Sequence, residues 1–119
     1  MPTVLIADDD PVMRMLLTAI VSADAELTLV GVAADTDEAI ALAAQHAPDV
    51  VLLDVEMPGG GGLRAAREIK QAAPATRVLA LSAHDTDAAR QAMHDAGADG
   101  YVVKGAPPDA VAKALRGET

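Results

Sequence analysis

Asp49-Val50-Val51-Leu52-Leu53-Asp54-Val55-Glu56-Met57-Pro58, followed by the glycine run Gly59 to Gly62, decides the fold. The unbroken apolar residues Val50 to Leu53, β-branched at the front and bounded by turn-formers, suit a strand buried on both faces. Such strands belong to the centre of parallel sheets. Asp54 stands where the strand runs out. In open α/β sheets, ligands and chemistry collect beyond the carboxyl ends of the central strands, so a carboxylate here is placed for function.

On the amino-terminal side, Val4-Leu5-Ile6-Ala7 is a second apolar run, and it ends in Asp8-Asp9-Asp10. Pro11 fits the first position of a helix capped by Asp10, and Val12, Met15, Leu16, Ala19, Ile20 and Ala23 recur at helical spacing as its apolar stripe. Leu27 to Ala34 reads as a strand. Asp35 with Glu38 resembles a capping box opening a helix whose buried stripe is Ile40, Ala43, Ala44 and Ala47, with Pro48 beyond its end. On the carboxyl-terminal side, the glycine run reads as a mobile turn, and Leu63, Ala66, Ile69, Lys70 and Ala73 carry one face of the next helix. Arg77 to Ser82 is a fourth strand. Ala89, Ala92, Met93 and Ala96 mark a helix with Gly97 at its end, Gly100 to Val103 is a fifth strand, and Pro107-Pro108 start a last helix with Val111, Ala114 and Leu115 inward. Strands alternating with helices through short connections predict a doubly wound α/β fold, a five-stranded parallel sheet with five helices on its two faces.

The chain of 119 residues, 51% hydrophobic, suffices for one ordinary domain with its own core. Tyr101 is its single aromatic residue, so the core must be built from Ala, Val, Leu, Ile and Met. The absence of cysteine excludes disulfides, thiolate metal sites and cysteine nucleophiles. A net charge of -9 argues against this domain holding nucleic acid or an anionic membrane by itself, and suits cations and basic partners. No run approaches a membrane span and no basic signal region precedes the first strand, which is read as a cytoplasmic location.

Parallel strands open their carboxyl ends on one rim, and that rim would carry Asp8 and Asp9, Asp54, Ser82 and Lys104. Taken singly, each has an ordinary structural explanation: an acidic turn capping a helix, a polar strand end, a turn serine, a solvated lysine. Their conjunction in chain order is what points to chemistry. Clustered carboxylates repel one another unless a cation sits among them, and an all-oxygen set with room for water suits Mg²⁺. A lysine and a hydroxyl beside it are what a phosphoryl group requires, so the implied reaction is phosphoryl transfer to a carboxylate.

Asp8-Asp9 after the first strand, Asp54 with Met57-Pro58 and Gly62, Ser82-Ala83, Tyr101 and Lys104-Gly105 together resemble the receiver domain of bacterial two-component response regulators across essentially the whole chain. The resemblance implies the flavodoxin-like strand order 2-1-3-4-5. It also implies that Asp54 is the phosphoacceptor, forming 4-aspartylphosphate at the expense of a phosphohistidine on a sensor histidine kinase. Asp9, Asp54 and the backbone carbonyl of Glu56 would bind Mg²⁺ directly, with Asp8 holding a metal-bound water. Lys104 would pair with the phosphoryl oxygen, Ser82 beside Ala83 would hydrogen-bond another, and Tyr101 would turn inward when Ser82 moves. Glu56 and His84 occupy positions that tune dephosphorylation.

The resemblance further implies that the face of helix four, strand five and helix five is where receivers pair on phosphorylation or dock their output. The chain end from Lys104 onward resembles receivers that carry a C-terminal DNA-binding domain for transcription regulation. The resemblance thus makes residues 1–119 one receiver domain, of the kind that can form the N-terminal part of a longer regulator. Gly105 stands where the family often has proline, and the glycine run replaces a polar helix cap. The sequence admits two other readings. A small haloacid-dehalogenase-like aspartyl-phosphate phosphatase would explain Glu56 two residues beyond Asp54, but that family resembles Asp-x-Asp-x-Thr, and Asp54-Val55-Glu56-Met57-Pro58 departs from it at two places. A receiver used unphosphorylated for docking alone is disfavoured by the intact Asp8, Asp9, Asp54, Ser82 and Lys104.

Overall fold

In the computed structural model, which describes residues 2–118, strands and helices alternate: β1 (Thr3–Ala7), α1 (Pro11–Ser22), β2 (Thr28–Ala33), α2 (Thr36–His46), β3 (Val50–Asp54), α3 (Gly61–Ala72), β4 (Arg77–Ser82), α4 (Asp87–Asp95), β5 (Gly100–Val103) and α5 (Pro108–Arg116). The strands form one sheet in the order β2-β1-β3-β4-β5, and every pairing is parallel. All five residues of β3 are buried, as the apolar run requires.

The two-residue period of a strand divides the core in two. Val51 and Leu53, with Leu5, Ala7, Val78 and Ala80 from the flanking strands, face α2, α3 and α4. Val50 and Leu52, with Val4, Ile6, Leu79 and Leu81, face α1 and α5 through Leu17, Val21, Val111 and Leu115. With Tyr101 the single aromatic ring, packed partly buried against this layer, alanines line much of the first interface: Ala39, Ala65, Ala66 and Ala80 are fully buried. The expected caps are made. Asp10 accepts from the Val12 amide and Asp35 from the Glu38 amide, while the Glu38 carboxylate reaches back to the Ala34 amide.

Three expectations change. The stripe Val12, Met15 and Leu16 faces outward, at 65%, 67% and 49% exposure, and the face of α1 that packs carries Leu17 and Val21 with Met13 and Ile20 beside them. Nearly every position of this helix is apolar, so spacing leaves its rotation undetermined, and the contact with α5 selects the buried side. The glycine run is not a turn throughout: Gly61 and Gly62 are buried and open α3, with Ala65, Ala66 and Ile69 inward. In α2 the buried residues are Thr36, Ala39 and Ala43, while Ala44 is exposed. Ala47 caps that helix in the left-handed region, at φ 44. Gly97, at φ 105, follows α4 as expected. Among the described residues, no helix is long and apolar enough to cross a membrane.

Candidate functional site

The parallel register sets the site. Ala7 pairs with Leu53, so Asp8 and Asp54 leave adjacent strands at neighbouring levels. Ser82 pairs with Val103, so Lys104 follows on the same rim, and its amide donates to the Ser82 carbonyl. Hydrogen bonding to the sheet takes the polar residues inside with the strands: Asp8 is 0%, Asp54 1% and Ser82 2% exposed, whereas Asp9 is exposed. The residues expected on one rim are therefore brought together.

One carboxylate oxygen from each of Asp8, Asp9 and Asp54 lies within 4.8 Å of the other two. Lys104 Nζ stands 3.3 Å from Asp8 Oδ2 and 3.3 Å from Asp54 Oδ1. Partial burial lowers the affinity of Lys104 for its proton, but the charge of Asp54 and then that of Asp8 outweigh this, holding the ammonium above the usual lysine range. Asp54 Oδ1 also accepts from the Glu56 amide at 3.1 Å. Asp54 Oδ2 is buried without a hydrogen-bond partner, and Asp8 Oδ2 has none beyond the Lys104 ammonium at 3.3 Å. Buried carboxylate oxygens in that condition are costly, and two of them beside a third carboxylate fit a small hard divalent cation with oxygen ligands.

The rim above this cluster is built by the loops after β3 and β4. Ser82 Oγ accepts from the His84 amide at 3.1 Å, and Ala83 between them is exposed. His84 Nε2 lies 3.0 Å from Glu56 Oε1, so the two residues read as separate tuning positions meet as a pair across the mouth. Tyr101 is partly buried against the core: its hydroxyl donates to the His84 carbonyl, and the guanidinium of Arg90 on α4 stacks over its ring at 4.7 Å from the centroid. Behind Asp54, Gly62 donates its amide to the Val55 carbonyl. A Cβ on Gly62 would sit 2.9 Å from Val55 Cα and 3.0 Å from the Asp54 carbonyl oxygen, so only glycine lets α3 start this close to the strand end.

One residue escaped the sequence reading. Arg14 Nη1 donates to the Asp8 carbonyl at 2.9 Å. The available signal was an arginine one turn into a helix that opens directly on an acidic turn.

Comparison with known proteins places these observations in a family. Residues 4–116 match the response regulator receiver domain. The chain is 40% identical over 97% of its length to the uncharacterised transcriptional regulatory protein YxjL of Bacillus subtilis, covering 55% of that protein. It is 37% identical over 98% of its length to the DNA-binding transcriptional activator DevR/DosR of Mycobacterium tuberculosis, covering 54% of it. The chain thus spans about half the length of these curated relatives. Among solved structures, a LuxR-family two-component response regulator from Aurantimonas superposes with a TM-score of 0.88 at 32% identity, over 98% of this chain and 86% of that one. The chemotaxis protein CheY4 of Vibrio cholerae superposes with a TM-score of 0.88 at 28% identity, over 100% of this chain and 99% of that one.

Proposed function

The chain belongs to the response regulator receiver domain family, and on that premise we propose that it is a phosphorylation switch whose acceptor is Asp54. The observation that carries the reading is Asp54 Oδ2, a buried carboxylate oxygen without a hydrogen-bond partner, beside Asp8 and Asp9 and next to the Lys104 ammonium. Asp54 Oδ2 attacks the phosphorus of a phosphohistidine on a sensor histidine kinase. The new O–P bond forms as the N–P bond breaks, and the electron pair of that bond returns to the departing imidazole, yielding 4-aspartylphosphate.

Asp8, Asp9, Asp54 and the Glu56 carbonyl are the groups that would hold Mg²⁺, which supplies neutralisation of the charge that builds on the phosphoryl oxygens. The Glu56 amide holds Oδ1 of Asp54, leaving Oδ2 free to react. Lys104 offsets the negative charge around Asp54 and is in position to pair with an arriving phosphoryl oxygen. Ser82 Oγ, already anchored by the His84 amide, has its proton free to donate to another. The Glu56 and His84 pair stands at the mouth, where it governs water access and hence the lifetime of the acyl phosphate.

The domain's only catalysis, on this reading, is on itself. Its output is proposed to be transcriptional, through a DNA-binding domain following residue 119, in keeping with relatives that are about twice as long and whose names denote transcription regulators. Phosphorylation would change self-association or docking through the face of α4, β5 and α5, and the whole would act in the cytoplasm. Acetyl phosphate with Mg²⁺ should place one phosphoryl group on the protein, detected by intact mass. Asp54→Asn keeps the shape and removes the nucleophilic oxygen, so labelling of the variant in similar yield would refute the assignment.

A further inference from the structure

The turn that carries Asp8 and Asp9 is held from three directions. The Asp8 amide donates to the Ala33 carbonyl, Asp8 Oδ1 accepts from the Asp10 amide at 2.9 Å, and the Asp10 carbonyl accepts from the Arg14 amide at 2.9 Å. The Asp8 carbonyl lies beyond the last residue of β1, where the ladder no longer supplies it with a partner. It instead accepts from Arg14 Nη1 at 2.9 Å. The carbonyl belongs to the peptide plane that joins Asp8 to Asp9, so the guanidinium sets the plane from which the exposed carboxylate of Asp9 departs.

Arg14 is half-buried on α1, and among the described residues it forms no ion pair despite the acidic turn beside it. Its visible use is the backbone carbonyl. We propose that Arg14 is a positioning residue for divalent-cation binding, locking the Asp8–Asp9 peptide so that the two carboxylates present their oxygens together with that of Asp54. The inference rests on the phosphorylation-switch reading given above.

A guanidinium bonded to the backbone of an acidic turn also acts through its charge, and the two roles have opposite signs. Removing a cation from beside an acidic cluster strengthens the binding of another cation. Removing the group that orders the cluster weakens it, by about tenfold where a partner that orients metal ligands is lost. Arg14→Met keeps the unbranched apolar stem and deletes both donor and charge, whereas Arg14→Lys keeps a donor with comparable reach. The test measures the Mg²⁺ dissociation constant by titration calorimetry, and the rate of labelling by acetyl phosphate as a function of Mg²⁺, in wild type and both variants.

The expected result is a dissociation constant about tenfold higher in Arg14→Met, restored to within about twofold in Arg14→Lys. Once saturating cation has ordered the turn, the labelling rate of Arg14→Met should return to nearly the wild-type plateau. Equal or tighter Mg²⁺ binding in Arg14→Met overturns the inference, as does a lowered plateau at saturating Mg²⁺, which would assign Arg14 to the reaction itself. If wild type neither binds Mg²⁺ nor accepts phosphoryl, the functional reading fails first, an outcome distinct from failure of the Arg14 assignment.

Discussion

The ammonium of Lys104 stands 3.3 Å from Oδ1 of Asp54, a carboxylate almost wholly withdrawn from solvent. Burial of the lysine favours its neutral form, but Asp54 and Asp8 raise its pKa above the ordinary value. A folded value above the unfolded one means that the pair's contribution to stability is complete below the ordinary lysine pKa of about 10.4 and is lost as pH rises through the folded value. Lys104→Met should therefore be less stable at neutral pH, by about 1 to 2 kcal/mol for a partly exposed partner of buried carboxylates. The gap to wild type should narrow at high pH. Urea midpoints at about pH 8 and about pH 11.5 check this, and a constant gap would show that the ion pair is not its source.

Beside Asp9, Asp54 buries an oxygen without a hydrogen-bond partner and Asp8 one whose ion-pair partner is the Lys104 ammonium. Any cation that binds the folded chain alone must stabilise it, by about 2.7 kcal/mol at a hundredfold excess over its dissociation constant. Melting with and without Mg²⁺ should show an upward shift, and Asp9→Ala should reduce it. An equal shift in both proteins would place the cation elsewhere.

Gly62 and Gly105 should respond differently to alanine. At Gly62 the added methyl meets backbone at 2.9 Å and 3.0 Å, and neither Val55 nor Asp54 can move without disturbing the end of the central strand. Gly62→Ala is expected to cost about 2 kcal/mol and to slow phosphorylation of Asp54. Gly105, at φ 94, has nothing within 4 Å of its added Cβ, so only the left-handed backbone is strained, a cost of about 1 to 2 kcal/mol. Denaturation paired with acetyl phosphate labelling separates the cases, since Gly105→Ala should leave labelling nearly intact at temperatures where it remains folded.

Tyr101 links the β4–α4 loop to α4, through its hydroxyl on the His84 carbonyl and its ring beneath Arg90. Movement of Ser82 toward a phosphoryl group would pull on His84, whose amide it accepts, and so on the tyrosine. Tyr101→Ala is expected to leave labelling of Asp54 intact and to weaken the self-association that beryllofluoride induces. Tyr101→Phe, which loses only the hydroxyl, should fall between the two. Sedimentation of the three proteins with and without beryllofluoride tests this, and identical association in all would remove the relay.

Val50 to Leu53 could be read as a central strand without any coordinates, because a strand covered on both faces has no solvent side and must be apolar at every position. The polar residues that end such strands were legible for the same reason: Asp8, Asp54, Ser82 and Lys104 each interrupt an apolar run at the point where the chain leaves the core. Resemblance supplied the strand order, which the structure then bears out. The rotation of α1 was not legible, since Val12, Met15 and Leu16 offer as good an apolar stripe as Leu17 and Val21 and only the packing against α5 distinguishes them. Nor was the pairing of Glu56 with His84, the reach of Arg14 to the Asp8 carbonyl, or the closeness of Gly62 to Val55. Residue types and their periodicity determine which segments are buried and where polar groups must emerge. Which of those groups meet, and through which atoms, depends on strand register and helix rotation, and these are set by contacts between segments far apart in the chain.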